Sequence, residues 1–352
     1  MKRILRHASQ ALPALLSLGL LAWVLRSADM GRALGIVDSL GLRLPLLVLP
    51  NLAAVLAETA GWWLSFARLG RRPRLPGLLA VRVMVDALML GVPSGSVTSE
   101  TVQPYLLKRR CGVTTEAGIV ATVARKFFVV VSHGLFLALA TVLAWPLLEA
   151  DSTAAIGRKG LPSLLLAASA VLVGTALAMV VATAHGRVAD RVHRGLDRLG
   201  GRWLGTWLEH NALRFRRTDE ELAVFFRREP LGLALPIALY LLGWLVRSIE
   251  TWIFLRLVGV TIPFPAAMVI ETALILVRAM AVPVPAGLGV QDTGYVLCLK
   301  ALGVPDATTI GAAFVLLKRG KDLFWILLGF LLLAFLRRRG EPALAPMPES
   351  AA

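Results

Sequence analysis

The stretch LPSLLLAASAVLVGTALAMVVAT, residues 161–183, runs for 23 residues without one ionisable side chain. A helix needs about 20 such residues to cross the hydrocarbon of a bilayer. Comparable runs recur at 11–25, 45–66, 118–148, 231–258 and 307–336 in a chain of 352 residues that is 57% hydrophobic and 17% charged. None alternates apolar and polar residues as a membrane strand does, so the spans must satisfy their own backbone groups as helices. The sequence predicts an all-α polytopic membrane protein.

The start MKRILR followed by an apolar stretch fits an uncleaved first helix or a cleaved signal, and RSADM is a poor cleavage site. Cys111 and Cys298 stand alone in apolar surroundings, so neither a disulfide nor a metal centre is expected, and no cofactor. A net charge of +16 on a membrane protein marks cytoplasmic loops and contact with anionic lipid headgroups, and no nucleic-acid-binding pattern accompanies it.

Two segments break the helical pattern. VPSGSVTSE, 92–100, carries Pro93, and VPVPAGLGVQD, 282–292, carries Pro283 and Pro285. Glu58-Thr59 pairs with Glu250-Thr251, and Pro93-x-Gly95 with Pro285-x-Gly287, both at an offset of 192; Arg125-Lys126 pairs with Lys318-Arg319 at about 193. This order predicts two repeats, 45–183 with its connecting span and 231–338, joined by an amphipathic cytoplasmic linker at 184–230 and followed by a disordered tail at 339–352.

Basic residues collect on the cytoplasmic side of a membrane. They fall mostly on one side only if each break is a hairpin that returns to the side it entered from. The expectation is therefore six full spans and two re-entrant helical hairpins, with the repeats inverted and both termini cytoplasmic in a bacterial inner membrane. Inverted repeats with interrupted helices place a substrate site near the midplane, where the breaks meet.

Ionisable side chains inside apolar runs cost about 2.5–3.5 kcal/mol even on lenient insertion scales, and so mark function or pairing. Arg247 with Glu250 and Arg319 with Asp322, each three residues apart, read as ion pairs along one helix face. Glu100 and Asp292 each follow their Pro-x-Gly by the same spacing, and either line a polar cavity or cap the second arm of the hairpin. Arg125, Lys126, Lys318, Arg319 and Lys321 bring positive charge that suits an anionic headgroup, with Lys126 and Lys321 the best placed to snorkel to an interface.

PSGS, 93–96, resembles the PSGH element of membrane lipid phosphatases, but Ser96 stands where those enzymes need histidine, and the spacing from Arg125 to His133 departs from theirs. No nucleotide-binding loop or nucleophilic triad is present either, so an enzyme is not expected.

The segments VPSGSVTSETVQPYLLKRRCGV, PAGLGVQDTGYVLCLKALGVP and LLKRGKDLFWILLGFLLL together resemble the membrane region of lysylphosphatidylglycerol synthases and the free-standing flippase-like proteins related to it, including the hopanoid-cluster type, over about residues 10–338. The resemblance implies that Pro285, Gly287, Gly289, Gln291 and Asp292 form one family element, Gly95 and Glu100 another, and Arg319 with Asp322 a final Arg-x-x-Asp. Asp292 stands where glutamate is commoner, and additional glycine often precedes Glu100 in relatives. The chain as read ends at GEPALAPMPESAA, so an aminoacyl-transfer domain is not expected. The expected function is that of a lipid flippase taking an anionic or polar-headed membrane lipid. The alternative is a non-transporting scaffold or lipid-presenting partner of a lipid-biosynthesis enzyme, and a homo-oligomer is open in either case.

Overall fold

The computed structural model describes residues 19–20, 22–23, 26–92, 95–156, 159–184, 217–228, 230–280 and 287–338. All regular structure among them is helical. In order these are α1 (Met30–Asp38), a 3-10 segment Gly41–Val48 leading into α2 (Leu49–Arg68), α3 (Leu75–Gly91), α4 (Gly95–Cys111), α5 (Thr115–Leu143), α6 (Trp145–Ile156) and α7 (Leu161–Ala184). A helical stretch at 217–227, α8, precedes α9 (Ala234–Leu257), α10 (Phe264–Met280), α11 (Val290–Ala301) and α12 (Ala307–Arg338).

Four stretches are long and apolar enough to cross a membrane: Gly41–Arg68, Thr115–Leu143, Leu161–Thr183 and Leu231–Leu257. They coincide with four of the six expected spans. α12, at 32 residues, is about 48 Å long and covers the sixth, with Lys318, Arg319, Lys321 and Asp322 within it. Most of the first expected span, the prolines of both breaks, most of the proposed linker and the tail lie outside the described residues.

Local sequence sets the helix ends. The Asp29 carboxylate accepts the Arg32 N–H at the start of α1, and the Thr114 hydroxyl accepts the Ala117 N–H at the start of α5, where Glu116 favours the positive end of the helix. α2 and α9 finish alike. Gly70 and Gly259 take left-handed backbone, and the N–H of the next residue returns to Phe66 or Leu255, each at 2.8 Å.

The axis of the molecule is the crossing of α2 with α9. Asn51 meets Arg247, Glu58 lies against Gly243, and Gly61 against Tyr240, so the numbers rise on one helix as they fall on the other. The two helices are antiparallel. On one side α3 packs against α12, with Gly91 beside Ile326 and Phe330, and Ala87 beside Gly329. On the other α10 packs against α5, with Met268 beside Phe136 and Ala140. α3 with α4 and α10 with α11 form two helical hairpins, each leaning on the long helix that follows it, α5 or α12.

Apolar cores fill the two sides. Trp62, Phe66, Leu78, Met84, Leu106 and Leu107 make one, and Phe254, Tyr295, Leu299 and Phe314 the centre of the other. Phe225 and Phe226 of α8 pack with Phe127, Phe128 and Tyr240. Arg68 donates to the carbonyls of Phe225 and Arg228 while Arg228 donates to that of Arg68, so two arginines cap each other's helix ends.

Close approach at α3 and α12 gives a clean test. A Cβ on Gly329 would lie 2.3 Å from the Ala87 Cβ and 2.7 Å from the Val83 carbonyl oxygen, whereas one on Gly320 of the same helix meets nothing within 4 Å. Gly329→Ala should lower the thermal midpoint in detergent by the equivalent of about 1–3 kcal/mol. Gly320→Ala should hold or raise it, since alanine gains up to about 1 kcal/mol of helix propensity.

Candidate functional site

Buried and half-buried ionisable groups around the α2–α9 axis gather into two clusters, one for each hairpin. In the first, Glu58 of α2 is the hub. Its Oε1 accepts from Arg247 Nε at 3.3 Å and Nη2 at 2.9 Å, and its Oε2 accepts from Arg82 of α3. Arg82 Nε lies 3.2 Å from Asp86, one turn on, and Asp86 lies 3.9 Å from Arg125 of α5. Arg125 donates to Gln103 of α4 and lies over the Trp62 ring, while Gln103 donates to Thr122 at 2.8 Å. Arg247 reaches back to Asn51 at 3.1 Å.

The second cluster centres on Glu250 of α9. Its Oε1 accepts from Lys318 at 2.9 Å and Lys321 at 2.8 Å, both on α12. Lys318 also donates to Thr251 at 2.7 Å and sits 3.5 Å from Glu271 of α10, which accepts from Thr251 and from the Tyr295 hydroxyl. Gln291 donates to that hydroxyl from one turn earlier on α11.

Next to it, Arg319 grips Asp292 through Nε at 2.9 Å and Nη2 at 2.7 Å and lies 3.6 Å from Asp322. The left-handed φ of Gly287 and Gly289, +62° and +78°, explains the glycines of PAGLG. They turn the chain so that the Gly289 N–H donates to Asp292 at 2.9 Å, which caps α11. Gly95 answers to a tight turn instead: a Cβ there would lie 2.4 Å from the Met89 carbonyl oxygen.

Several expectations change. Asp292 is both cap and ion-pair partner, with its side chain 2% exposed; Glu100 is 47% exposed on the middle of α4 and pairs with the equally open Lys126. Equal spacing from the breaks does not give equal environments. Glu250 pairs with lysines on α12 and Arg247 with Glu58, rather than with each other, because partners across a helix interface offer better geometry than the i+3 position. The Arg319–Asp322 pair is present. Lys321 is half-buried and pairs with Glu250 and Asp322, while Lys126 is exposed.

His133 stacks on Trp244, and the Ser96 side chain lies outside the described residues. Arg82, Asn51, Gln103 and Tyr295 went unrecognised in the sequence. Arg82 alone carried a signal, standing one turn before Asp86 on an apolar helix.

A family model described as the lysylphosphatidylglycerol synthase TM region matches residues 10–329. The chain belongs to that family. Comparisons with curated proteins and with solved structures returned no significant match. Membership in the lysylphosphatidylglycerol synthase TM region family ties this all-helical membrane domain to membrane lipids, and the buried charges are the part of it with chemistry to offer.

The contrast between the two carboxylates is measurable. Asp292→Asn leaves Arg319 short of its main partner in an apolar setting and should cost about 3 kcal/mol of thermal stability in detergent. Glu100→Gln, at an exposed pair, should change it by less than about 1 kcal/mol.

Proposed function

We propose that the protein is a lipid flippase of the bacterial inner membrane, carrying the headgroup of an anionic or polar-headed lipid past a midplane site while the acyl or terpenoid tails stay in the bilayer. The observation that carries the reading is the pair of largely buried charged clusters, each built around a carboxylate of α2 or α9 with side chains of one hairpin and the long helix after it. Keeping so many charges inside an apolar helix bundle costs several kcal/mol per ion unless they are paired, and intramembrane ionisable groups commonly mark a transport path. The headgroup site consists of Gly95, Glu100 and Arg125 on one hairpin side and Gly287, Gly289, Gln291, Asp292, Arg319 and Asp322 on the other.

In this reading the hairpins are re-entrant and the halves, 45–183 and 231–338, are inverted repeats. Three features support it. The hairpin helices have 17, 17, 17 and 12 residues, about 26 Å at most, short of the roughly 30 Å hydrocarbon thickness. The equivalent helices α2 and α9 are antiparallel. The contact of α3 with α12 is mirrored by that of α10 with α5.

Lys108 and Lys300, at the ends of α4 and α11, lie towards opposite ends of α12: Gly77 beside Arg110 belongs with the Leu332–Leu336 end, and Lys300 precedes the start of that helix. With both termini cytoplasmic, single cysteines at 108 and 300 should label from the cytoplasm and from outside respectively. Labelling of both from one side would remove the inverted arrangement.

Transport is read by leaflet exchange of labelled phospholipid and terpenoid lipids in proteoliposomes. Wild type should accelerate exchange of at least one class, and Glu100→Gln and Arg125→Gln should slow it by about tenfold or more, the loss of about 1.4 kcal/mol at the barrier. Glu100→Gln is the sharper variant, since its exposed pair contributes little to folding. No acceleration by wild-type protein with any probe would leave the scaffold reading, in which the clusters serve only to hold the helices together.

A further inference from the structure

We propose that Arg247 is an exchangeable cation, held by Glu58 in the arrangement described and passed to Glu250 in a second arrangement of the α2–α9 axis. This rests on the flippase reading for its purpose, since it gives the two clusters a way to communicate, but its geometry stands independently.

Three observations converge on Arg247. First, it is the link between the clusters. It sits on α9 one turn before Glu250, close enough for the two charges to interact directly, yet its hydrogen bonds go to Glu58 and Asn51 on α2. Residues three apart on a helix have Cβ atoms about 5–6 Å from each other, so an arginine reaches the i+3 carboxylate by rotating its side chain, with no change in the backbone.

Second, both ends tolerate the transfer. If Arg247 leaves, Glu58 keeps Arg82 on its other oxygen. At the far end, Glu250 directs Oε1 to two lysines while its buried Oε2 has no hydrogen-bond partner among the described residues. A buried acceptor in that state costs about 1–3 kcal/mol, which an arriving guanidinium would relieve.

Third, the charge count favours it. Among the described residues the first cluster holds three cations (Arg82, Arg125, Arg247) against two carboxylates (Glu58, Asp86). The second holds three cations (Lys318, Arg319, Lys321) against four carboxylates (Glu250, Glu271, Asp292, Asp322). Moving Arg247 balances both, at two against two and four against four. Gly243 sets the geometry: a Cβ there would lie 2.8 Å from Glu58 Oε1, so the carboxylate rests against bare α9 backbone one turn from Arg247.

As a positioning residue, Arg247 acts through the two carboxylates, and the test measures coupling rather than loss. Thermal midpoints of the full-length protein in detergent are compared in a double-mutant cycle of Arg247→Gln and Glu250→Gln, once in the wild-type background and once with Glu58→Gln. Removing Glu58's charge should send Arg247 to Glu250. The 247–250 coupling is expected to be small in the first background and larger by about 3 °C in the second.

Absence of coupling in the Glu58→Gln background would overturn the proposal, and so would equal coupling in both, which means static sharing. Should Glu250→Gln not fold, Glu250→Asp replaces it; the coupling is then smaller but must keep its dependence on Glu58, and a coupling without that dependence overturns the proposal. In proteoliposomes Arg247→Lys, which keeps a movable charge, should stay within about threefold of wild-type exchange while Arg247→Gln falls about tenfold or more. A transporting wild type with an equally fast Arg247→Gln would overturn the role in transport. Thermal coupling as expected with no lipid exchange by wild type would uphold the ion exchange and remove the flippase reading.

Discussion

Everything in this architecture depends on how Glu58 and Glu250 are neutralised. Both carboxylates are almost wholly buried on the central helices, and neither has a partner on its own helix in the arrangement described. Each is held by cations from other helices. Pairing across helices fixes the distance and rotation at which those helices cross, and the glycine opposite Glu58 is the steric side of the same requirement. The hairpins lean on this frame: Arg82 brings α3 to α2, and Lys318 with Lys321 brings α12 to α9.

Much of this was legible in the sequence, because the signals involved are local. Uninterrupted apolar runs give the spans, proline and glycine give the breaks, and charged residues within apolar runs announce themselves by their cost. Asp292 was also legible as a cap, since a carboxylate three residues after Gly289 is where a capping side chain must stand. What could not be read was the choice of partner. Glu250 offers Arg247 at i+3 in sequence, but takes Lys318, 68 residues away. Helix spacing says which pairs are possible and only packing decides which form.

The same limit explains why Glu100 and Asp292 part company. Their spacing from Pro-x-Gly is identical, but α4 begins at Gly95 while α11 begins at Val290, so Glu100 falls in a helix middle and Asp292 in a first turn. A first-turn carboxylate finds backbone N–H donors and can be buried on them. A carboxylate in a helix middle has none available and must find a side-chain cation or remain open. Glu100 does both with Lys126, which frees it from structural duty.

The cations of the two clusters also differ in kind, and the difference has mechanical consequences. Around Glu58 they are arginines with planar forks: Arg247 bridges Glu58 and Asn51, and Arg82 donates to Glu58 while its charge lies 3.2 Å from Asp86. Around Glu250 they are lysines, both converging on one oxygen. An ammonium holds its partner as a point charge and accepts rotation about it, whereas a guanidinium fork fixes orientation. The Glu58 contacts are therefore set by the directional bonds of guanidinium groups, while the lysine contacts at Glu250 leave more freedom of angle.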